Sequence, residues 1–287
     1  MAALSTARMP FRRRPFTDRD TFKHLTGVFP GHEQVALIIE GRGGIGKSFF
    51  LTNSTSIIAR FQGEQAQLRE PLRVGAVDSS DPQRVLPLDM ISADMALPLT
   101  IEQMLIDCVE QVATLRERAI FADYKAARSA YEIQRRHLSF HDLRVSEQLL
   151  RTTFFDGWER LVELCGVPLI VSFDTCEYLE RTRIGDYFKL AESEDVTKRG
   201  LGVRAQFFAW VYQALHERQL KQTYFIFGGR GVAGSELFRH LDRAADGRVL
   251  VEYLEGLDEA EVADYLGLAQ RGLGDLPRAR QIAHFIT

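Results

Sequence analysis

Five short runs of apolar and β-branched residues divide this chain, and the segments between them carry a helical pattern. The runs are Val35–Ile39, Arg73–Asp78, Leu169–Phe173, Thr223–Phe227 and Val249–Leu254. In the run that ends at Phe173, apolar residues do not alternate with polar ones, which is typical of a parallel strand buried on both faces. Strands that alternate with helices predict an α/β fold whose parallel sheet is covered on both faces.

Between the runs, apolar residues recur every three or four positions, which is the period of an amphipathic helix. The predicted helices span Phe50–Phe61, Ile101–Leu115, Phe121–Tyr131, Arg144–Cys165 and Phe207–Leu215. Thr100 is predicted to cap the second of these helices, and Gly166 is predicted to end the fourth. Ser79–Pro82 is predicted to form a turn, and Gly185–Gly202 is polar and is expected to be an exposed loop.

A glycine-rich loop joins the first predicted strand to the helix that follows it. The loop, Gly41–Ser48, has the sequence GRGGIGKS. Its glycines let backbone N–H groups approach phosphate oxygens closely. Lys47 can reach the terminal phosphates, Ser48 can place its hydroxyl on Mg²⁺, and the helix N-terminus attracts an anion. The loop therefore predicts binding of a nucleoside triphosphate, with contacts from Gly41, Arg42, Gly43, Gly44, Ile45, Gly46, Lys47, Ser48 and Phe49.

Charged residues follow two further strands at the carboxyl edge, where parallel sheets bind ligands. Asp174 directly follows the buried run and is predicted to hold Mg²⁺ opposite Ser48. Glu177 is predicted to orient or deprotonate the water that attacks the γ-phosphate, with a solvent-facing or helix-capping role as the alternative. Arg230 is predicted to contact the γ-phosphate and so to report whether ATP or ADP is bound; a salt-bridged surface arginine is the alternative. With Lys47, these three residues form the predicted catalytic set.

Composition and charge exclude several classes of protein. The formal net charge is −3, with acidic and basic residues well mixed, which gives no support to a nucleic-acid or membrane partner. No apolar run approaches the roughly 20 residues that span a bilayer, and the N-terminus lacks a secretory signal. Cys108, Cys165 and Cys176 are odd in number and lack metal-ligand spacing, which favours a reducing compartment. We therefore expect a cytoplasmic protein. The basic segment Arg8–Pro15 favours a solvated terminus over a nucleic-acid-binding arm.

The motifs, taken in chain order, resemble those of the STAND class of P-loop NTPases, which is related to the AAA+ ATPases and includes NACHT and NB-ARC domains. Gly41–Ser48 resembles the GxGGxGK[ST] loop of this class. Val171–Leu179 resembles its magnesium-binding strand, in a DTxE variety. Ile226–Arg230 is similar to its sensor strand, and Tyr253–Glu261 is similar to the start of its helical lid.

The resemblance implies a three-layer αβα core followed by a helical lid. Near the N-terminus, Pro15–Arg19 resembles the family segment that packs beside the adenine, which implies that Phe16 and Arg19 contact the nucleotide. No complete lid or winged helix follows the core, so either the chain is a fragment of a larger protein or a partner supplies the missing parts. The amphipathic segment Gln281–Thr287 has no stop signal, which favours the fragment. The expected segments are an N-terminal arm and first helix over residues 1–33, the NTPase core over residues 34–256, and the start of the lid over residues 257–287.

The resemblance also implies a molecular switch that binds ATP and Mg²⁺, hydrolyses ATP slowly and assembles into a homo-oligomer in its ATP state. Members of the family serve in bacterial signalling or in defence against phage, with sensor and effector partners. Two alternatives stay open: a scaffold that binds nucleotide without hydrolysis, and a DNA-remodelling or loader ATPase of the wider AAA+ class. A small-molecule P-loop kinase is disfavoured, because Arg230 follows its strand too closely and no substrate-pocket signature is evident.

Overall fold

The structure is a computed structural model, which describes residues 34–42, 46–52, 72–78, 81–91, 97–135, 140–181, 203–245 and 249–254. Several predicted features lie outside these residues. They are the N-terminal arm with Phe16 and Arg19, the loop residues Gly43, Gly44 and Ile45, most of the helix predicted over Phe50–Phe61, the polar segment 185–202 and the lid segment 257–287.

A six-stranded parallel sheet forms the centre of the fold. Its strands are β1 (Gln34–Gly41), β2 (Leu72–Val74), β5 (Leu88–Asp89), β6 (Leu169–Asp174), β7 (Thr223–Gly229) and β8 (Val249–Leu254). The order across the sheet is β2-β6-β7-β1-β8, and β5 pairs with the end of β6 on the same side as β2. A separate antiparallel pair joins β3 (Ala76–Asp78) to β4 (Asp81–Leu86). The predicted α/β class with a parallel sheet is confirmed.

Helices connect the strands and cover the sheet. Helix α1 is described over residues 47–52. The others are α2 (Pro98–Glu110), α3 (Ala113–Glu117), α4 (Ala122–Gln134), α5 (Phe140–Cys165), α6 (Tyr178–Arg181), α7 (Val203–Tyr212), which continues as a π-helix over Gln213–Glu217, and α8 (Glu236–Ala244). None of these described helices combines the length and the hydropathy that a membrane-spanning segment needs.

The two faces of the sheet pack into two separate apolar clusters, because successive strand side chains point to opposite faces. On β1, Ala36 and Ile38 join the larger cluster, whereas Leu37 and Ile39 join the smaller one. The larger cluster contains the buried aromatic side chains of α4, α5 and α7; the smaller one contains Phe50 of α1. Helices therefore lie on both sides of the sheet, which gives the three layers that the sequence predicts.

The strand predicted over Arg73–Asp78 is divided in the structure. A Cβ at Gly75 would lie 2.3 Å from the carbonyl oxygen of Leu86, so the chain crosses β4 closely at this point. Residues before Gly75 pair with β6, and residues after it pair with β4. The turn predicted over Ser79–Pro82 was too long, because β4 already begins at Asp81.

The helix predicted over Ile101–Leu115 is also shorter than expected. Helix α2 ends at Glu110, and a separate short helix follows from Ala113. The prediction that Thr100 caps α2 was wrong, because the helix begins at Pro98 and the capping position is Leu97. Proline suits the first position of a helix, because a backbone N–H at that position would have no hydrogen-bond partner within the helix. Gly166 ends α5 with a φ of 60°, as predicted.

A carboxylate is buried among the aromatic side chains of the helical layer. Glu102 of α2 is fully buried and accepts hydrogen bonds from the Tyr124 hydroxyl at 2.8 Å and from Trp210 Nε1 at 3.1 Å. Burial raises the pKa of Glu102 to about 7, although these two hydrogen bonds and the guanidinium groups of Arg151 and Arg128 act in the opposite direction. Ionisation of Glu102 therefore makes the free energy of unfolding depend on pH near neutrality.

We expect stability to fall as pH rises from about 4.5 to about 7, because the folded carboxyl retains a proton that the unfolded one has lost. The contribution of Glu102 to this fall is at most about 1.4 kcal/mol per pH unit. Glu102→Gln should remove this component, and the exposed Glu163→Gln on α5 should not. Urea unfolding of the three proteins between pH 5 and pH 8 measures the effect. Identical pH profiles for wild type and Glu102→Gln would contradict the assignment.

Candidate functional site

The carboxyl ends of three neighbouring strands place the predicted site residues at one edge of the sheet. Strand β7 lies between β1 and β6 and pairs in parallel with both. Its register sets Glu40 beside Gly229 and Phe173 beside Phe227. As a result, the glycine-rich loop after β1, Asp174 at the end of β6 and Arg230 after β7 all lie at this edge. This is the arrangement that the sequence predicts.

The side chain of Lys47 folds back onto the loop that precedes it. Gly46 has a φ of 101°, a conformation that L side chains rarely adopt, and α1 begins at the next residue. Lys47 is only 9% exposed. Its Nζ donates hydrogen bonds to the carbonyl oxygens of Gly41 at 2.6 Å and Arg42 at 2.7 Å. The ammonium group is thus held by the neutral carbonyl oxygens of the two residues at which the loop begins.

The charges around Lys47 show that the predicted catalytic residues are close together. Burial lowers the pKa of Lys47, and this is the largest effect on it. Carboxylates oppose the shift and the guanidinium of Arg230 adds to it; the acidic groups that act on the amine are Glu177, Asp174 and Glu40. A desolvated ammonium group is stabilised by nearby negative charge. The ammonium group of Lys47 therefore lies within electrostatic range of three carboxylates and one guanidinium group.

The other predicted contacts in the loop and helix differ in their exposure. Arg42 and Ser48 are exposed, and the side chain of Phe49 is 40% exposed. Phe50 and Leu51, by contrast, are buried against the sheet. Arg42 directly follows β1, and Ser48 and Phe49 lie at the start of α1. Gly43, Gly44 and Ile45 lie outside the described residues.

Asp174 closes β6 and starts an unusual turn. Its carboxylate is half-buried, and Oδ1 accepts a hydrogen bond from the backbone N of Thr175 at 2.8 Å. Thr175 has a φ of 60°, which is rare for a β-branched residue and costs about 1–3 kcal/mol. Among the described residues, none donates to Oδ2 of Asp174. One oxygen of this carboxylate is therefore oriented by the backbone, and the other is available to a ligand.

Glu177 and Arg230 contact each other. Oε2 of Glu177 accepts a hydrogen bond from the backbone N of Arg230 at 3.2 Å, and Oε1 lies 3.7 Å from Nε of the same residue. The Glu177 side chain is 15% exposed, whereas that of Arg230 is 62% exposed. The arginine can therefore move into solvent or toward a ligand, while the carboxylate stays against the end of β7.

Two glycines allow the turn after β6 to pack against the end of β7. The backbone N of Cys176 donates to the carbonyl oxygen of Gly228 at 2.9 Å. A Cβ at Gly228 would lie 2.5 Å from Cδ1 of Leu51 and 3.5 Å from Oδ1 of Asp174. A Cβ at Gly229 would lie 3.0 Å from Oε2 of Glu177. The two glycines thus allow neighbouring parts of the site to pack closely.

Two residues of the site were not predicted. Asp89 pairs with Asp174 in the sheet register, and its Oδ1 accepts a hydrogen bond from the Thr175 hydroxyl at 2.5 Å. Glu40 accepts a hydrogen bond from the backbone N of Ala233 at 2.7 Å, which ties the loop after β7 to β1. Glu40 had a signal in the sequence, because it is a carboxylate between an apolar run and the glycine-rich loop. Asp89 had none, because β5 is only two residues long.

The residues at this edge are suited to a magnesium ion that phosphate oxygens help to hold. No group of three or more His, Cys, Asp or Glu side chains within the described part of the chain could hold a metal by itself. Mg²⁺ is commonly bound through one or two protein ligands together with substrate phosphates and water. The exposed Ser48 hydroxyl and the open oxygen of Asp174 offer that kind of incomplete set.

Comparisons with known proteins give a coarse structural likeness. No protein-family model and no curated protein sequence matches this chain. The structure is similar to the ORC2 protein of Aeropyrum pernix in its ADP form, with a TM-score of 0.43 and 12% identity over 93% of this chain. The ADPNP–ADP complexes of the same protein give a TM-score of 0.41 and 13% identity over 92% of this chain. This chain spans 55% of the length of both ORC2 chains. The α/β class follows from the strand order and helices of the chain itself.

Gly229→Ala should destabilise the protein by about 1–3 kcal/mol, because the new Cβ would overlap a packed side chain. It would lie 2.4 Å from Cγ2 of Val232, besides its short distance to Glu177. Gly234→Ala in the following loop is the matched control, because its Cβ would meet nothing within 4 Å. That variant should stay within about 1 kcal/mol of wild type. Urea unfolding followed by circular dichroism measures both variants. Equal effects of the two substitutions would contradict the close packing at Gly229.

Proposed function

We propose that this chain binds a nucleoside triphosphate with Mg²⁺ at the carboxyl edge of its sheet. The observation that carries the proposal is the position of Lys47, a buried ammonium group whose Nζ bonds only to carbonyl oxygens of its own loop among the described residues. Phosphate oxygens are charged and would accept stronger hydrogen bonds from Nζ than neutral carbonyls do. The N–H groups at the start of α1 and its dipole favour the same anion.

Ser48 and Asp174 are the residues that would hold the magnesium ion. Their roles follow from the sequence motif and from the open Oδ2 of Asp174 described above. When bound, Mg²⁺ neutralises charge on the phosphate oxygens. The chain itself orients the carboxylate, through the bond from the Thr175 N–H to Oδ1. Asp174 is therefore assigned to the metal, and Lys47 to the phosphates.

Slow hydrolysis of ATP is the reaction that we assign to the site. Glu177 would orient the attacking water, and Arg230 would contact the γ-phosphate. In the present structure, these two side chains lie against each other. If the exposed Arg230 side chain turns toward a phosphate, its contact with Glu177 is lost, so the two contacts compete. This competition would make the conformation depend on whether the third phosphate is present, as the switch of a STAND-class NTPase requires.

A switch of this kind would act through assembly. The expected output is a homo-oligomer in the ATP state, with further domains or partner proteins that sense a signal and carry an effector. The support for this part is the sequence resemblance alone.

A scaffold that binds nucleotide without hydrolysis is the second candidate. The observation that favours it is the engagement of Glu177 by the backbone N of Arg230, which directs one carboxylate oxygen away from solvent. Single-turnover measurements separate the two candidates. Release of inorganic phosphate from bound ATP supports the ATPase, and bound ATP that stays intact supports the scaffold.

Lys47→Ala should weaken nucleotide binding by about 10- to 100-fold, because at least one charged hydrogen bond to phosphate is lost. Asp174→Ala should weaken binding only when Mg²⁺ is present. Calorimetric titration with ATP, in Mg²⁺ and in EDTA, measures both effects. Lys125→Ala is the matched control, since Lys125 pairs with Glu110 on the protein surface and its loss should not affect binding. Wild-type affinity in Lys47→Ala would remove the phosphate site.

A further inference from the structure

A short strand at the edge of the sheet contacts the turn that carries the predicted magnesium carboxylate. Strand β5 pairs in parallel with the last two residues of β6, so that Asp89 lies beside Asp174. The backbone N of Met90 donates to the carbonyl oxygen of Asp174 at 2.9 Å. Oδ1 of Asp89 accepts hydrogen bonds from the Thr175 hydroxyl at 2.5 Å and from the backbone N of Ile91 at 3.2 Å.

The turn after Asp174 needs such contacts because its backbone conformation is unfavourable. Thr175 is β-branched and has a positive φ, a combination that persists only where the surroundings impose it. The bonds around the turn hold it from two sides. Strand β7 holds it through the N–H of Cys176 and the carbonyl oxygen of Gly228, and Asp89 holds it through the Thr175 hydroxyl.

The conformation of this turn determines where two functional carboxylates lie. The N–H of Thr175 orients Oδ1 of Asp174, and Glu177 reaches the backbone N of Arg230 only from the end of the same turn. A change at Thr175 would therefore move both carboxylates. Asp89 itself is exposed and lies on the side of β6 opposite to β7, and hence away from the glycine-rich loop.

We propose that Asp89 is a positioning residue for the magnesium site. It acts through the Thr175 hydroxyl, which it uses to hold the turn in the conformation that directs Asp174 toward the metal. The negative charge of Asp89 is not what the role needs; a hydrogen-bond acceptor at Oδ1 is. The inference rests on the proposed function, because it assumes that Asp174 holds Mg²⁺.

Four substitutions separate the hydrogen bond from the charge. Asp89→Ala removes the acceptor, and Thr175→Val removes the donor while keeping the branched side chain. Asp89→Asn keeps an acceptor without the charge, and Thr175→Ser keeps the hydroxyl. Asp107→Ala is the matched control, because Asp107 on α2 also accepts a side-chain hydrogen bond, from Gln103, at the protein surface.

The experiment measures the dissociation constant for ATP by calorimetry, once with Mg²⁺ and once in EDTA, for each protein. Asp89→Ala and Thr175→Val should weaken binding about 10- to 100-fold in Mg²⁺, the usual effect of losing a residue that orients a metal ligand. In EDTA the affinities of these two variants should match wild type within about twofold. In Mg²⁺ the double variant Asp89→Ala/Thr175→Val should bind ATP no more weakly than either single variant. Asp89→Asn, Thr175→Ser and Asp107→Ala should resemble wild type in both conditions.

Several results would overturn the inference. If Asp89→Asn binds ATP in Mg²⁺ as weakly as Asp89→Ala does, the charge of Asp89 matters and the positioning role is wrong. If Asp89→Ala and Thr175→Val lose affinity equally in Mg²⁺ and in EDTA, the bond supports the fold in general and not the metal site. If both keep wild-type affinity in Mg²⁺, the inference is wrong while the proposed function stands. If wild type binds no ATP in either condition, the proposed function is wrong, and the inference falls with it.

Discussion

An ammonium group that is removed from water must be surrounded by oxygen atoms, and this requirement determines the organisation of the site around Lys47. Burial disfavours the charged amine and lowers its pKa. The carbonyl oxygens of Gly41 and Arg42 compensate part of this cost, and the nearby carboxylates of Glu177 and Asp174 also favour the charged amine. A polyphosphate would supply charged oxygen atoms at the same position. The buried lysine therefore links the local conformation of the loop to the proposed binding of nucleotide.

The parallel sheet brings the acidic half of the site to this lysine. Strand β7 separates β1 from β6, so Asp174 reaches the edge one strand away from the glycine-rich loop. Glycines at the end of β7 leave space for the turn after β6, and a left-handed Thr175 changes the direction of the chain within that turn. The close packing at these glycines and the strained backbone of Thr175 together fix the positions of the Asp174 and Glu177 carboxylates. Hydrogen bonds between neighbouring strand ends and apolar contacts of Leu51 and Val232 both hold the region around the site.

Much of this arrangement could be predicted from the sequence, because it depends on local signals. Buried strands appear as continuous apolar runs, and the carboxyl ends of parallel strands share one edge of the sheet. From these two signals the sequence predicts that Lys47, Asp174, Glu177 and Arg230 lie close together. The division at Gly75 could not be predicted, since it depends on the approach of β4. Asp89 was missed for the same reason: two residues become a strand only because β6 lies beside them. Thr100 has the chemistry of a capping residue, but Pro98 starts the helix two residues earlier.

A crystal structure with Mg²⁺ and a non-hydrolysable ATP analogue would show whether Lys47 contacts the phosphates at this site. In that structure, Nζ of Lys47 should leave the carbonyl oxygens of Gly41 and Arg42 and bond to phosphate oxygens. The metal should lie between the Ser48 hydroxyl and the Asp174 carboxylate. A nucleotide bound elsewhere, with Lys47 still bonded to both carbonyl oxygens, would contradict the proposed phosphate site.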